Sequence, residues 1–386
     1  MRVIWITLGL ALGPAVAMGL GRFAYSILLP AMRTDLGWSY AQAGWMNTAN
    51  AGGYLTGALM APLLVGRFGA ARAFRDGLVV LVPVLAAPVW FHGDAALLLW
   101  RALAGMAGGV VYVTGGLLAI GLAGGGTAGV RVVGLFYSGS GIGLVVAGAA
   151  LPPLLAVRGD GGWLAGWLVV GLLALPCAAL AAVAALRAER PMATRALPLR
   201  LGPALVRSPW MIAGYMLFGM GSIGYMTFIY AAITVGGDWT RGMTFWVLLG
   251  SASVAAPWVW SGLLGRMRSG RAFTLVLSVA GAGTVLPWMS DGLLAIILSA
   301  LCFGGSFFMS VSVTSLHIKR AYSPETGVAA VSAFTLAFGI GQLLGPPLNG
   351  TLADHGVPLA ASLLVSTALI VLGALIGGAQ RDPWTK

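Results

Sequence analysis

"GLGRFAYSILLP" (residues 19–30) places Arg22 inside an apolar run that extends from residue 3 to residue 32 without another charge. About 20 apolar residues suffice to cross a bilayer, so the run reads as a membrane-spanning helix. Arg22 lies about ten residues from its outer end, or ~15 Å at 1.5 Å per residue, which is near the midplane. An arginine at that depth costs at least ~2.5 kcal/mol on insertion scales. It is therefore expected to face the protein interior and to have a partner there.

Such runs follow one another along the whole chain. Of its 386 residues 59% are hydrophobic and 8% charged, against about 25% charged in soluble domains. A water-soluble function is excluded, and the partner common to the whole chain is the lipid bilayer. The net charge of +12 does not indicate nucleic acid, because the basic residues fall in short loops on alternate sides of the spans. Cys177 and Cys302 lie in apolar helices without metal-type spacing and read as small buried residues. "AVA" at 15–17 imitates a signal-peptide cleavage site, but cleavage there would destroy the first span. A retained first helix is expected.

About twelve spans can be placed. Six lie near 4–32, 39–65, 73–91, 95–122, 131–156 and 163–186, and six near 209–235, 242–264, 272–289, 292–317, 326–352 and 358–379. The expected organisation is an N-terminal six-helix bundle (1–186), a basic, proline-containing cytoplasmic linker (187–208) and a C-terminal six-helix bundle (209–386). With both termini cytoplasmic, nearly all lysines and arginines fall inside and only Arg33, Arg158 and Arg241 fall outside, as the positive-inside rule requires.

The halves repeat each other. "GLGRFAYSILLP" at Gly19 aligns with "GMGSIGYMTFIY" at Gly219, "GRFGAARAF" at Gly66 with "GRMRSGRAF" at Gly265, and "GIG" at Gly141 with "GIG" at Gly339. A duplicated six-helix unit is the architecture of two-bundle secondary transporters. On these features the chain resembles the major facilitator superfamily, and "GRFAYSILLP" resembles the opening helix of its YbfB/YjiJ-type subfamily. The resemblance implies an all-α membrane protein of two pseudo-symmetric bundles. The loop after the second span is similar to the superfamily signature Gly-x-x-x-Asp-Arg-x-Gly-Arg. Arg67 and Gly69 match it, while Gly66 replaces the aspartate and Pro62 the first glycine. The family uses this loop in gating, so Arg67 and Gly69 are gating candidates, with Asp76 able to pair with a nearby arginine. Arg101 of "RALAG" resembles the arginine early in the family's fourth helix.

All ten acidic residues fall at helix ends or in loops, and none falls mid-membrane. Arg22 and Arg101 are the cations within spans. Arg101 is about six residues in, or ~9 Å, close enough to snorkel toward the outer interface. An arginine fork matches carboxylate, phosphate or sulfate, so Arg22, with Arg101, can anchor an anionic substrate. Alternatively, Arg22 bonds backbone oxygens where Gly19 and Gly21 let the helix bend. Tyr25 and Ser26 share the face of Arg22 at i+3 and i+4. Asn47, Asn50 and Tyr54 form a second stripe, Arg101, Gly105, Gly108 and Tyr112 a third, and Thr335, Gly339 and Gln342 a fourth. Ser222 and Tyr225 occupy the repeat positions of Arg22 and Tyr25. Such stripes also serve as helix–helix contacts. The glycines of 105–109, 139–143 and 339–347 are candidate flex points.

The expected protein is a monomeric, multi-pass carrier of a bacterial-type inner membrane. It moves a small organic anion by alternating access, with substrate contacts from Arg22, Tyr25, Asn47, Asn50, Arg101, Tyr112, Ser222, Tyr225 and Gln342. No cofactor, metal or nucleic acid is expected. The alternative is an exporter of drugs or other hydrophobic compounds. An enzyme is disfavoured, because no nucleophile–base set falls at membrane depth.

Overall fold

A computed structural model describes residues 2–123, 126–188, 202–264 and 266–381. Among the described residues there are twelve long helical segments and no strand. They are α1 (Val3–Leu36), α2 (Tyr40–Phe68), α3 (Ala70–Ala86), α4 (Asp94–Leu122), α5 (Gly126–Arg158), α6 (Trp163–Ala188), α7 (Pro209–Ile233), α8 (Trp239–Leu264), α9 (Ser269–Met289), α10 (Leu293–Ala321), α11 (Pro324–Asp354) and α12 (Leu359–Gly378). Residues 189–201, most of the expected linker, and Gly265 lie outside the described residues.

Local chemistry sets the helix boundaries. Ser39 and Gln42 form a reciprocal capping box at the start of α2, with Ser39 N–H donating to Gln42 Oε1 (2.8 Å) and Gln42 N–H to Ser39 Oγ (3.1 Å), which satisfies two orphan donors. Ser323 caps α11, and Pro324 occupies its first turn. Gly37 ends α1 in the left-handed region at φ 66°.

Ten of the twelve helices are long and apolar enough to cross a membrane. The other two are α2 and α3. Asn47, Thr48 and Asn50 dilute the apolar character of α2, and α3 has only 17 residues, the lower end of what a crossing needs.

Contacts divide the chain into two units. The first comprises Met1–Trp38, Trp45–Ala196 and Gly236–Val254, and the second Ser39–Gly44, Leu197–Val235 and Ala255–Lys386. Within the first, α1 lies so close to α5 that a Cβ on Gly19 would overlap the backbone of Gly143. The α2–α4 crossing is equally tight, since a Cβ on Gly105 would overlap the carbonyl oxygen of Asn50. Small residues allow this approach, and dispersion between the backbones then holds the helices together. The candidate flex glycines of α4 and α5 thus serve as contact faces of continuous helices.

Within the second unit α7 packs on α11 in the same manner, with Gly219 against Phe338 and Gly341 against Met216. The pairs α1–α5 and α7–α11 are first and fifth helices of their repeats, so the sequence duplication is also a duplication of packing. The first turn of α2 belongs to this second unit. Its Tyr40 and Ala41 N–H groups donate to the two carboxylate oxygens of Asp354 at the end of α11, both at 2.8 Å.

Candidate functional site

The first helix is not uniform. It winds as a π-helix over Ala15–Phe23 and returns to α winding from Ala24, whose N–H donates to Gly19 O, five residues back. π-Turns within α-helices are rare and concentrate at functional sites. Arg22 sits near the end of this one, 4% exposed. Its guanidinium carbon lies 5.6 Å from the ring centroid of Tyr54 on α2 and 5.6 Å from that of Phe23.

Arg101 reaches the same turn from α4. Its Nη1 donates to Gly21 O at 2.8 Å, and its Nη2 lies 3.4 Å from both Arg22 O and Asn47 Oδ1. The guanidinium also faces the rings of Tyr25 at 4.5 Å and Trp167 at 5.7 Å. Asn50 Nδ2 donates to the Arg101 carbonyl at 3.0 Å. Although close enough to an interface to snorkel, Arg101 is 4% exposed and turned into the unit. The carbonyls of the π-turn and the faces of two aromatic rings offer it better partners than the interface does. Desolvated cation–π contacts contribute up to about 2 kcal/mol each.

An aromatic wall adjoins the arginines. Tyr112 packs edge-on to Tyr54 with centroids 6.1 Å apart, and lies 5.1 Å from Tyr137 and 6.5 Å from Phe136 on α5. The structure therefore brings Arg22, Asn47, Asn50, Arg101 and Tyr112 together at the meeting of α1, α2 and α4. The α2 and α4 stripes face each other, so they form a helix contact and an arginine lining at once. Tyr25 lies against the guanidinium of Arg101. Trp167 and Tyr137 escaped the sequence reading, because isolated aromatics in an apolar helix carry no signal of their partners.

The remaining candidates lie elsewhere. In the second unit Tyr225 Oη is 2.9 Å from Ser299 Oγ on α10, and its ring lies 4.9 Å from that of Phe303. Ser222 and Gln342 are buried in α7 and α11. At the other end of α2, Arg67 lies over the Phe68 ring at 5.3 Å, and Gly69 adopts φ 84°, ψ 158° before α3. Asp76 pairs with its neighbour Arg75 at 2.8 Å on the exposed surface. Such a pair contributes at most about 1 kcal/mol.

A helical chain of ten or more apolar spans, duplicated in packing as in sequence, matches the family described as "uncharacterised MFS-type transporter YbfB" over residues 14–377. The chain belongs to the major facilitator superfamily. It is similar to a curated "Chloramphenicol resistance protein" of Streptomyces lividans, 26% identical over 380 residues and 92% of each chain. Among solved structures it resembles a mutant of the nucleoside transporter NupG, with TM-score 0.74 and 12% identity over 97% of this chain and 99% of that one. It also resembles a bacterial homolog of the human lysosomal transporter Spinster in an inward-facing and occupied conformation, with TM-score 0.73 and 14% identity over 98% of both chains. At these identities the two structures establish the fold alone. The protein is a multi-pass membrane transporter of the facilitator fold.

Proposed function

We propose that this facilitator is a secondary carrier that moves a small organic anion by alternating access, with Arg22 as the anion anchor. It acts as a monomer in a bacterial-type inner membrane, with both termini cytoplasmic. The observation that carries this reading is the burial of two cations at one π-turn, Arg22 and Arg101, each 4% exposed. Arg101 spends its hydrogen bonds on two carbonyls and one amide oxygen, and the acidic residues of the chain all fall at helix ends or in loops. Buried charge is costly unless met by opposite charge, and two cations around one turn repel. A bound carboxylate, phosphate or sulfonate relieves both terms, and the adjoining tyrosines accept an apolar or aromatic body. A proton relay through an intramembrane carboxylate has no residue to run on, which favours exchange, facilitated diffusion or a proton carried by the substrate itself.

A second reading is efflux of a drug-like compound, supported by the likeness to the chloramphenicol resistance protein. A thermal-shift screen of the purified carrier separates the two. The anion reading expects stabilisation by at least one mono- or dicarboxylate, phosphate or sulfonate. Stabilisation by chloramphenicol or cationic drugs alone would replace it with the efflux reading.

A further inference from the structure

We infer that Arg101 is a positioning residue: its guanidinium holds the π-wound turn of α1, and that turn sets where the Arg22 side chain points. The inference rests on the reading of Arg22 as the anion anchor and assigns the neighbouring arginine a different task. A side-chain donor bonded to the carbonyls of an irregularly wound turn stabilises that winding. Arg101 supplies two such donors, to Gly21 O at 2.8 Å and to Arg22 O at 3.4 Å. The second is the carbonyl of the anchor residue itself.

Arg101 is in turn fixed on three sides. Asn47 accepts from it, Asn50 binds its backbone carbonyl, and Tyr25 lies against the face of its guanidinium. A charged donor so constrained cannot swing out to bind cargo without releasing the turn.

The internal repeat supplies a control. Helix α7 is α-helical from Pro209 to Ile233 and has Ser222 at the position of Arg22. There the fourth-helix partner of the repeat tyrosine is Ser299, bonded to Tyr225. Where Ser299 stands at the repeat position of Arg101, the π-turn is missing too. The glycines common to both helices therefore do not produce it.

The test is amide hydrogen exchange, read by mass spectrometry on the detergent-purified full chain, for wild type, Arg101→Gln, Arg101→Lys and Arg22→Gln. In Arg101→Gln, exchange in peptides covering residues 15–24 is expected to rise at least about tenfold as local opening becomes easier, while α7 peptides covering 219–230 stay unchanged. Arg101→Lys is expected to be intermediate, because an ammonium group lacks the fork that reaches both carbonyls. It also serves as the deciding variant if Arg101→Gln does not fold. Wild-type exchange at 15–24 in both Arg101 variants would overturn the inference, and so would an equal rise in every helix. Arg22→Gln should leave exchange at 15–24 as in wild type. If no anion stabilises the wild-type carrier yet Arg101→Gln still loosens the turn, the substrate reading fails and the positioning role stands.

Discussion

The Arg101 guanidinium donates to the carbonyl oxygen of Gly21 at 2.8 Å, joining a cation of α4 to the backbone one residue before the cation of α1. Two charges that would repel if placed freely are thereby arranged in sequence, one bonded to the backbone and the other over the ring of Tyr54. Hydrogen bonds from a charged donor contribute about 1.5–3 kcal/mol, enough to hold a turn whose winding is otherwise unfavourable.

Gly69→Ala is expected to destabilise the carrier by about 1–3 kcal/mol, because φ 84° with ψ 158° is a region essentially reserved for glycine. Thermal unfolding in detergent checks this. A melting temperature equal to wild type would show that the loop before α3 relaxes without cost.

Asp354→Ala removes the carboxylate that accepts the Tyr40 and Ala41 N–H groups. The expected loss is about 1 kcal/mol, typical of an N-terminal cap, since the Ser39–Gln42 box remains. Faster amide exchange confined to the first turn of α2 is the signature. Unaltered exchange there would mean that water replaces the carboxylate.

Tyr225→Phe deletes the hydroxyl bonded to Ser299 at 2.9 Å. Within a membrane such interhelical bonds contribute about 0.6 kcal/mol, up to about 1.7 kcal/mol. A small drop in melting temperature with unchanged ligand response is expected. Loss of ligand response in this variant would place Tyr225 at the cargo.

The Asp238 carboxyl is held below its ordinary value, first by the Thr240 hydroxyl and then by the backbone N–H and guanidinium of Arg241. A depressed folded-state value contributes stability above the unfolded-state value, and this is lost as pH falls through the folded one. The difference in melting temperature between wild type and Asp238→Asn should therefore be present near pH 6 and shrink below about pH 4. The group is fully exposed, so the difference is small and weakens with salt. A difference independent of pH would assign it to packing.

Much of this architecture was legible in the residues. The apolar runs fixed the helices to within a few positions, and the sequence repeat of Gly19 at Gly219 has a structural counterpart in the matching α1–α5 and α7–α11 contacts. The burial of Arg22 followed from its depth. That Tyr25 packs against the Arg101 guanidinium did not, because a contact between helices leaves no local spacing in the sequence. The partners of Arg101 were equally hidden, since they are the backbone oxygens of Gly21 and Arg22, which no side-chain pattern encodes. Helix α2 was legible as a helix, but Asn47, Thr48 and Asn50 leave it less apolar than the ten spanning helices, and Asn47 and Asn50 bond Arg101.

The most direct measurement of the central claim is uptake into proteoliposomes of the anion that best stabilises the wild-type carrier, compared among wild type, Arg22→Lys and Arg22→Gln. Loss of a charged, two-pronged contact is predicted to weaken apparent affinity about ten- to hundredfold in Arg22→Gln, with Arg22→Lys in between. Transport by Arg22→Gln with wild-type affinity would contradict the assignment of Arg22 as the anion anchor.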